Sequence, residues 1–399
     1  MANTLKFGNG NWATKEDSVL AYNDENNNFK PLPFDFTRAS TATYVDSDGL
    51  IKTSRNGEAR IDYTDSTDGA LILEPQRINL ITQSEAFDNA YWIKSNASVT
   101  SGFISPDGTS NAFKLVEDTS NANHRIYQGT SNTSSTLSFY AKADGRTWVS
   151  VLSILGGFSY FDIGNGVLGT IESSSVGTIE AVGNNGWYRC TLYNGHSTNG
   201  AYIGLSYANN ISEYQGDGTS GVYIFGAQLE QGSYATSYIP TSGSTVTRVA
   251  DACSGAGNEQ VINSSEGVLF ADIAALDSNL TSKPITINDT TSNNELGFYY
   301  YGNRVDVYVR VGGLNQFYVI RSIADATITS KIALKYKEND FALWINGIKV
   351  ATDTSGNVPT GLSELAFKNA GGTTFYGKTK DLRVYNTALT DAELATLTT

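Results

Sequence analysis

The chain has 399 residues and a formal net charge of −13, with 39 glycines and only 7 prolines. Such an acidic chain lacks the basic surface that nucleic acid or an anionic membrane requires. It also has no run approaching the roughly 18 apolar residues of a membrane helix. The length accommodates two or three domains. Cys190 and Cys253 lie in different segments and read as free, buried thiols.

Residues 1–35 are polar, with isolated aromatics at Phe7, Trp12, Tyr22 and Phe29. A stretch that buries so little by itself reads as a short irregular arm. Its aromatics would be anchors that attach the chain to a partner. Residues 15–20 could form one short helical piece. The opening Met1-Ala-Asn-Thr-Leu-Lys has no apolar signal core, so synthesis without a Sec-type address is expected. Residues 36–78 read as a small β collar with short strands around turns. Residues 79–248 hold strand candidates at 98–104, 112–116, 125–128, 137–141, 148–154, 158–162, 187–192, 201–207 and 221–230. Turn residues separate them at regular spacing, the pattern of a jelly roll. A short helix is expected at 85–92. Residues 249–265 read as a connector and 266–399 as another all-β unit. That unit closes with Thr390-Asp-Ala-Glu393, a capping box opening a helix over 391–397. The expected class is all-β: two consecutive β-sandwich (jelly-roll) domains after the N-terminal arm.

Two hairpins in the last unit can be read in register. The first turns at Gly302-Asn303 and pairs Tyr299 with Asp306 and Glu295 with Arg310 on one face. Its other face pairs Tyr300 with Val305, Phe298 with Val307 and Leu296 with Val309. The second turns at Asn346-Gly347, the favoured type I′ pair, and should place Phe341, Leu343, Ile345, Ile348 and Val350 on one face.

Catalysis by acid and base needs paired carboxylates. Asp306 and Glu295 share a hairpin face, but Arg304 and Arg310 alternate with them, which favours ion pairs on a solvated strand face. His124 and His196 have no local Ser or Asp constellation. No enzyme is expected. Tyr299, Tyr301 and Tyr308 beside Arg304 and Asp306 would suit a shallow glycan site, with rings stacking on sugar C–H faces and charged groups bonding hydroxyls. The same face would also serve as a contact with a neighbouring sheet or subunit. In the middle unit Tyr202 and Tyr207 fall on opposite strand faces. Trp92, Trp148, Trp187 and Trp344 read as core. The loop Gln215-Gly-Asp-Gly-Thr219 offers one carboxylate, too few for Ca²⁺, and no cofactor or metal is expected.

Three stretches carry family resemblances. FTRASTATYVDSDGLI at 36–51, with LEPQRINL at 73–80 and TQSEAFDNAYW at 82–92, resembles a module of bacteriophage head spikes, head fibres and tail fibres. SPDGTSNAFKL at 105–115, SFYAK at 138–142, NGWYR at 185–189 and AQLEQG at 227–232 resemble the jelly roll of carbohydrate-binding modules. FALWINGIKV at 341–350 and KDLRVYNTALTDAEL at 380–394 resemble the concanavalin A-like, laminin-G-like sandwich. The resemblance implies a virion location, a homotrimer attached to other virion proteins through its N-terminal arm, and adhesion to host-surface polysaccharide. The alternatives are a polysaccharide depolymerase or a secreted glycan-binding protein.

Overall fold

A computed structural model describes residues 5–23, 26–132, 134–153, 157–194 and 198–399. The fold is all-β, with one short helix among the described residues. Its division along the chain is not serial. One compact unit comprises Met1–Thr41, Ser54–Pro75 and Val249–Thr399; the other comprises Ala42–Thr53 and Gln76–Arg248.

In the first unit a large sheet runs in the order Ile348–Asp353, Phe341–Ile345, Ser330–Lys337, Glu266–Ala275, Gly377–Tyr385, Ala70–Leu73, Arg60–Asp62. A five-stranded sheet runs Leu314–Ser322, Arg304–Val311, Glu295–Tyr300, Lys283–Asn288, Glu364–Ala366. Alternation sends Leu269, Leu334, Leu343 and Leu382 of the first into one core with Ile285, Phe298, Val307 and Phe317 of the second. On the far side of the large sheet, Phe270, Trp344 and Tyr385 pack with Leu389 and Leu394 at the C-terminal helix Asp391–Thr398. The Thr390 and Glu393 capping box is formed.

The first hairpin has the register read from its letters, from Glu295↔Arg310 to Tyr300↔Val305. The second departs from it. Asn346 and Gly347 both have positive φ, as the turn requires, but a bulge between Leu343 and Trp344 shifts the pairing. Phe341, Leu343 and Ile345 are buried, whereas Ile348 is 65% exposed.

The expected N-terminal arm is part of the sandwich. Leu5–Gly8 pairs antiparallel with Gly377–Tyr385, placing Phe7 opposite Leu382. Phe7 is 1% exposed, with its ring 4.4 Å from that of Phe34. Residues 15–20 are not helical. Thr14–Lys15, Ser18–Asn23, Asn28–Thr37 and Ala252–Ser254 form a four-stranded sheet that buries Val19, Ala21, Phe34 and Phe36. The expected connector therefore contributes a strand, and its Cys253, Ala256 and Ile262 enter the core. The expected collar is divided: Arg60–Asp62 and Ala70–Leu73 extend the large sheet, while Ala42–Val45 pairs with Ile51–Ser54.

A buried charge network holds these segments. Asp251 receives Arg38 Nη1 at 3.0 Å on one oxygen and Arg60 Nη2 at 2.6 Å on the other. Arg60 Nη1 also reaches Glu74 at 2.6 Å. Arg38 Nη2 donates to Ser54 Oγ, Arg55 O and Glu58 O. Burial opposes the Arg60 charge, but Glu74 and Asp251 outweigh it and raise its pKa.

The second unit is a sandwich of two six-stranded sheets. One runs Ile93–Ser95, Arg125–Asn132, Thr198–Ser206, Trp148–Leu152, Phe158–Asp162, Val167–Leu168. The other runs Ala97–Phe103, Ala112–Glu117, Gly221–Gln231, Ser135–Asp144, Trp187–Asn194, Ser175–Val182. Ile126, Val149, Phe161 and Ile203 from one meet Leu115, Phe139, Cys190 and Leu229 from the other. The outer face of the second sheet carries Tyr140, Trp187 and Phe225, which pack with Ile51 and Tyr238. Residues 85–92 form turns, not the expected helix. Phe87 and Trp92 are both buried, and Trp92 Nε1 donates to Gln83 O at 2.8 Å. Turn bonds from Asn89 N to Ala86 O at 3.2 Å and from Trp92 N to Asn89 O at 3.1 Å shape the segment between them.

Phe7→Ala tests whether the first strand is structural. Removing a ring from a closed core is expected to cost about 3–5 kcal/mol in chemical denaturation of the full chain. A cost below about 1 kcal/mol would restore the loose arm.

Candidate functional site

The five sequence-selected residues lie on one face of the five-stranded sheet, away from the core. They are not equally available. Arg304 lies over the Tyr301 ring at 4.6 Å, and its Nε sits 2.9 Å from Asp306 Oδ1. This pair stays accessible, with Arg304 40% and Asp306 16% exposed in the side chain. Tyr308, by contrast, is buried, and its ring lies 4.7 Å from that of half-buried Tyr299. Arg310 covers Tyr308 at 4.6 Å.

The expected solvated face is wrong at Glu295, which is fully buried. Its carboxylate accepts hydrogen bonds from the Tyr308 hydroxyl, from the Tyr299 hydroxyl at 2.9 Å and from Ala370 N at 2.9 Å. Both phenol hydroxyls are thus committed to the fold. Burial raises the Glu295 carboxyl above its ordinary pKa, although the Ala370 amide, Tyr299 and Arg310 act the other way.

The exposed ring of this face is one that the sequence reading missed. Tyr318 pairs across the ladder with Tyr308 and is 52% exposed; Ile320 pairs with Asp306 and is 43% exposed. The signal was present in the alternation of 314–320, where Phe317 points inward and Tyr318 outward. The usable surface is therefore Tyr318 and Ile320 beside the Arg304–Asp306 pair and Tyr301.

The proposed attachment residues are likewise rearranged. Phe7 is core, and Trp12 Nε1 donates to Asp68 O at 3.0 Å while its ring packs on the core. Tyr22 is half-buried and meets Phe29 edge-on at 5.3 Å. Phe29, 36% exposed, is the most outward of the four.

In the second unit His124 is buried, with Nδ1 2.7 Å from Asn96 O and Nε2 3.2 Å from Tyr214 O, a structural role. His196 lies outside the described residues. Asp217 is held well below the usual carboxylate range by donors of its own loop, first Ser220 and then Thr219. The Arg146 guanidinium stands 3.7 Å away. Among the described residues no group of three or more His, Cys, Asp or Glu could hold a metal ion. Tyr202 and Tyr207 keep different neighbours, as alternation expects: the Tyr202 ring meets Phe158 at 5.8 Å and the Tyr207 ring meets Tyr214 at 5.9 Å, and of the two only Tyr207, 60% exposed, reaches solvent.

Residues 274–395 match the family described as the concanavalin A-like lectin/glucanases superfamily (Laminin_G_3). The match covers the five-stranded sheet and its candidate face. No curated protein sequence matches the chain. Among solved structures, the chain is similar to the CBM40 of the Ruminococcus gnavus IT-sialidase bound to α2,3-sialyllactose. That alignment has 18% identity and a TM-score of 0.32, covering 37% of this chain and 94% of that one. It is similar to domain 4 of AbnA, a GH43 extracellular arabinanase from Geobacillus stearothermophilus, in complex with arabinotriose. Here identity is 16% and the TM-score 0.31, covering 42% of this chain and 83% of that one. Mouse laminin α1 domains LG4-5 align at 10% identity and a TM-score of 0.24, over 77% of this chain and 89% of theirs.

Glu295 gives this region a pH signature. A carboxyl whose pKa is raised on folding contributes its stability fully below its unfolded pKa and loses it as pH rises through the folded value. Stability is therefore expected to fall as pH rises past the ordinary glutamate range, and Glu295→Gln to flatten that fall. Denaturation curves between about pH 4 and 7 read this out. Parallel pH slopes for variant and parent would contradict it.

Proposed function

We propose that the protein is a glycan-binding protein and that the outer face of its five-stranded sheet is the contact surface. The observation that carries this reading is Tyr318, exposed beside the Arg304–Asp306 pair. A tyrosine ring offers a flat apolar face to sugar C–H groups. The adjacent guanidinium and carboxylate supply donors and acceptors for vicinal hydroxyls. Tyr299 and Tyr308 support the face from within, since their hydroxyls bind Glu295.

Placement in a virion as a fibre or spike subunit belongs to the same proposal. Its support is the resemblance of residues 36–51 and 73–92 to bacteriophage structural modules. A homotrimer would multiply weak single-site contacts on a repeating polysaccharide. Attachment through the N-terminal segment would fall to Tyr22 and Phe29, since Phe7 is core.

The test is a glycan array with the full chain, followed by Tyr318→Ala. Loss of about 1–2 kcal/mol of binding, roughly tenfold, is expected on the strongest ligands, with the fold unchanged by circular dichroism. Retention of full binding by Tyr318→Ala would overturn the assignment of this face.

A further inference from the structure

The second unit presents a different surface. On its sheet of Arg125–Asn132, Thr198–Ser206, Trp148–Leu152 and Phe158–Asp162, the core side is taken by Ile126, Ile203, Val149 and Phe161. Alternation puts Arg125, Tyr127, Tyr202, Ser150, Phe158 and Tyr160 on the other side. None of these six belongs to a packed hydrophobic cluster among the described residues.

Register sorts the face into two rows. Arg125 lies opposite Gly204, Gly204 opposite Ser150, and Ser150 opposite Tyr160. Beside this row Tyr127 lies opposite Tyr202, whose ring is 5.8 Å from that of Phe158. Gly204 lies between Arg125 and Ser150 and is already covered: a Cβ there would lie 2.8 Å from both Ser150 Oγ and Tyr202 Cε1, so glycine lets the Tyr202 ring and the Ser150 hydroxyl close over the strand. The same contact shows that Ser150 Oγ is aimed to this side.

Two features of the polar row remain unsatisfied. Arg125 lies 5.5 Å from the Tyr127 ring centroid and 5.3 Å from that of Tyr202, and no carboxylate among the described residues pairs with it. Its Nε is buried without a hydrogen-bond partner. Ser150 and Ser206 are wholly buried, and their hydroxyls also lack partners. In a chain of net charge −13, a guanidinium left without an acid between two rings is complementary to an anion. The neighbouring rings favour an anion carried on a ring with apolar C–H faces.

We propose that this face binds a carboxylate-bearing saccharide. The carboxylate would meet half-buried Arg125, and the sugar ring would stack on half-buried Tyr127. The site shares no residue with the Tyr318 face of the other unit.

Titration calorimetry of the full chain with hexagalacturonate, hyaluronan hexasaccharide and sialyllactose tests this, with maltohexaose and carboxyl-reduced hexagalacturonate as neutral counterparts. At least one acidic probe is expected to bind, with its neutral counterparts weaker. Arg125→Gln should weaken that binding by about tenfold or more, and Tyr127→Ala should weaken it without touching the charge. Tyr318→Ala should leave it unchanged, which separates this site from the Tyr318 face. No binding by any acidic probe at millimolar concentration would overturn the proposal. Equal binding of the neutral sugars, equal binding of a poly-glutamate peptide, or full affinity in both variants would also overturn it.

Discussion

The structure depends on one carboxylate, Asp251. The chain leaves its first unit after Thr41, returns at Ser54, leaves again after Pro75 and returns at Val249. Arg38, Ser54, Glu74 and Asp251 stand within a few residues of those four crossings, with Arg60 between the two middle ones. All five are joined by hydrogen bonds or ion pairs. Two guanidiniums out of water are costly, and the network is stable only because each is met by carboxylate or carbonyl oxygens. The Glu74 amide also donates to Asp251 and the Asp251 amide to Glu74 O, so backbone and side chains are fixed together. A chain interrupted by an insertion of this size has a loop-closure penalty to overcome. The clamp supplies contacts at the points where that penalty falls.

Both units follow one design. Each has a two-sheet core, one outer sheet face covered by its own chain, and one only partly covered. In the first unit the C-terminal helix region covers Trp344 and Phe270. In the second, Ile51 and Tyr238 pack over Trp187 and Phe225. The partly covered faces are where tyrosine and arginine gather: Tyr318, Tyr301 and Arg304 in one, Tyr127 and Arg125 beside buried Tyr202 in the other. Covered faces are apolar because they are second cores. The partly covered faces mix rings with charge, which suits ligands that are apolar on one side and hydroxylated on the other.

Much of this was legible in the letters wherever a local rule acts alone. The first hairpin could be registered because a two-residue turn leaves no freedom. The second misled twice: Ile348 pairs with Ile345 as read yet is exposed at the sheet's edge strand, and the bulge after Leu343 has no letter of its own. The nine strand candidates of residues 79–248 all lie at observed strands, since turns punctuate them. Phe7 was illegible, because the strand it pairs with lies more than 370 residues away in the sequence. Glu295 was misjudged for a similar reason: Ala370 and two tyrosine hydroxyls bury it, and only the first hairpin's own pairing could be read. The Arg125 face needed three strands in register before its neighbours could be placed.

The most direct test of the account is native-state hydrogen exchange on Asp251→Ala in the full chain. Breaking a buried ion pair from one side leaves uncompensated charge and should cost about 3–5 kcal/mol. Amides of Glu266–Ala275 and Gly377–Tyr385, in the middle of the large sheet, should then exchange at least about 100-fold faster. Unchanged protection in those strands would mean that the sandwich closes without the clamp, and the account would fail.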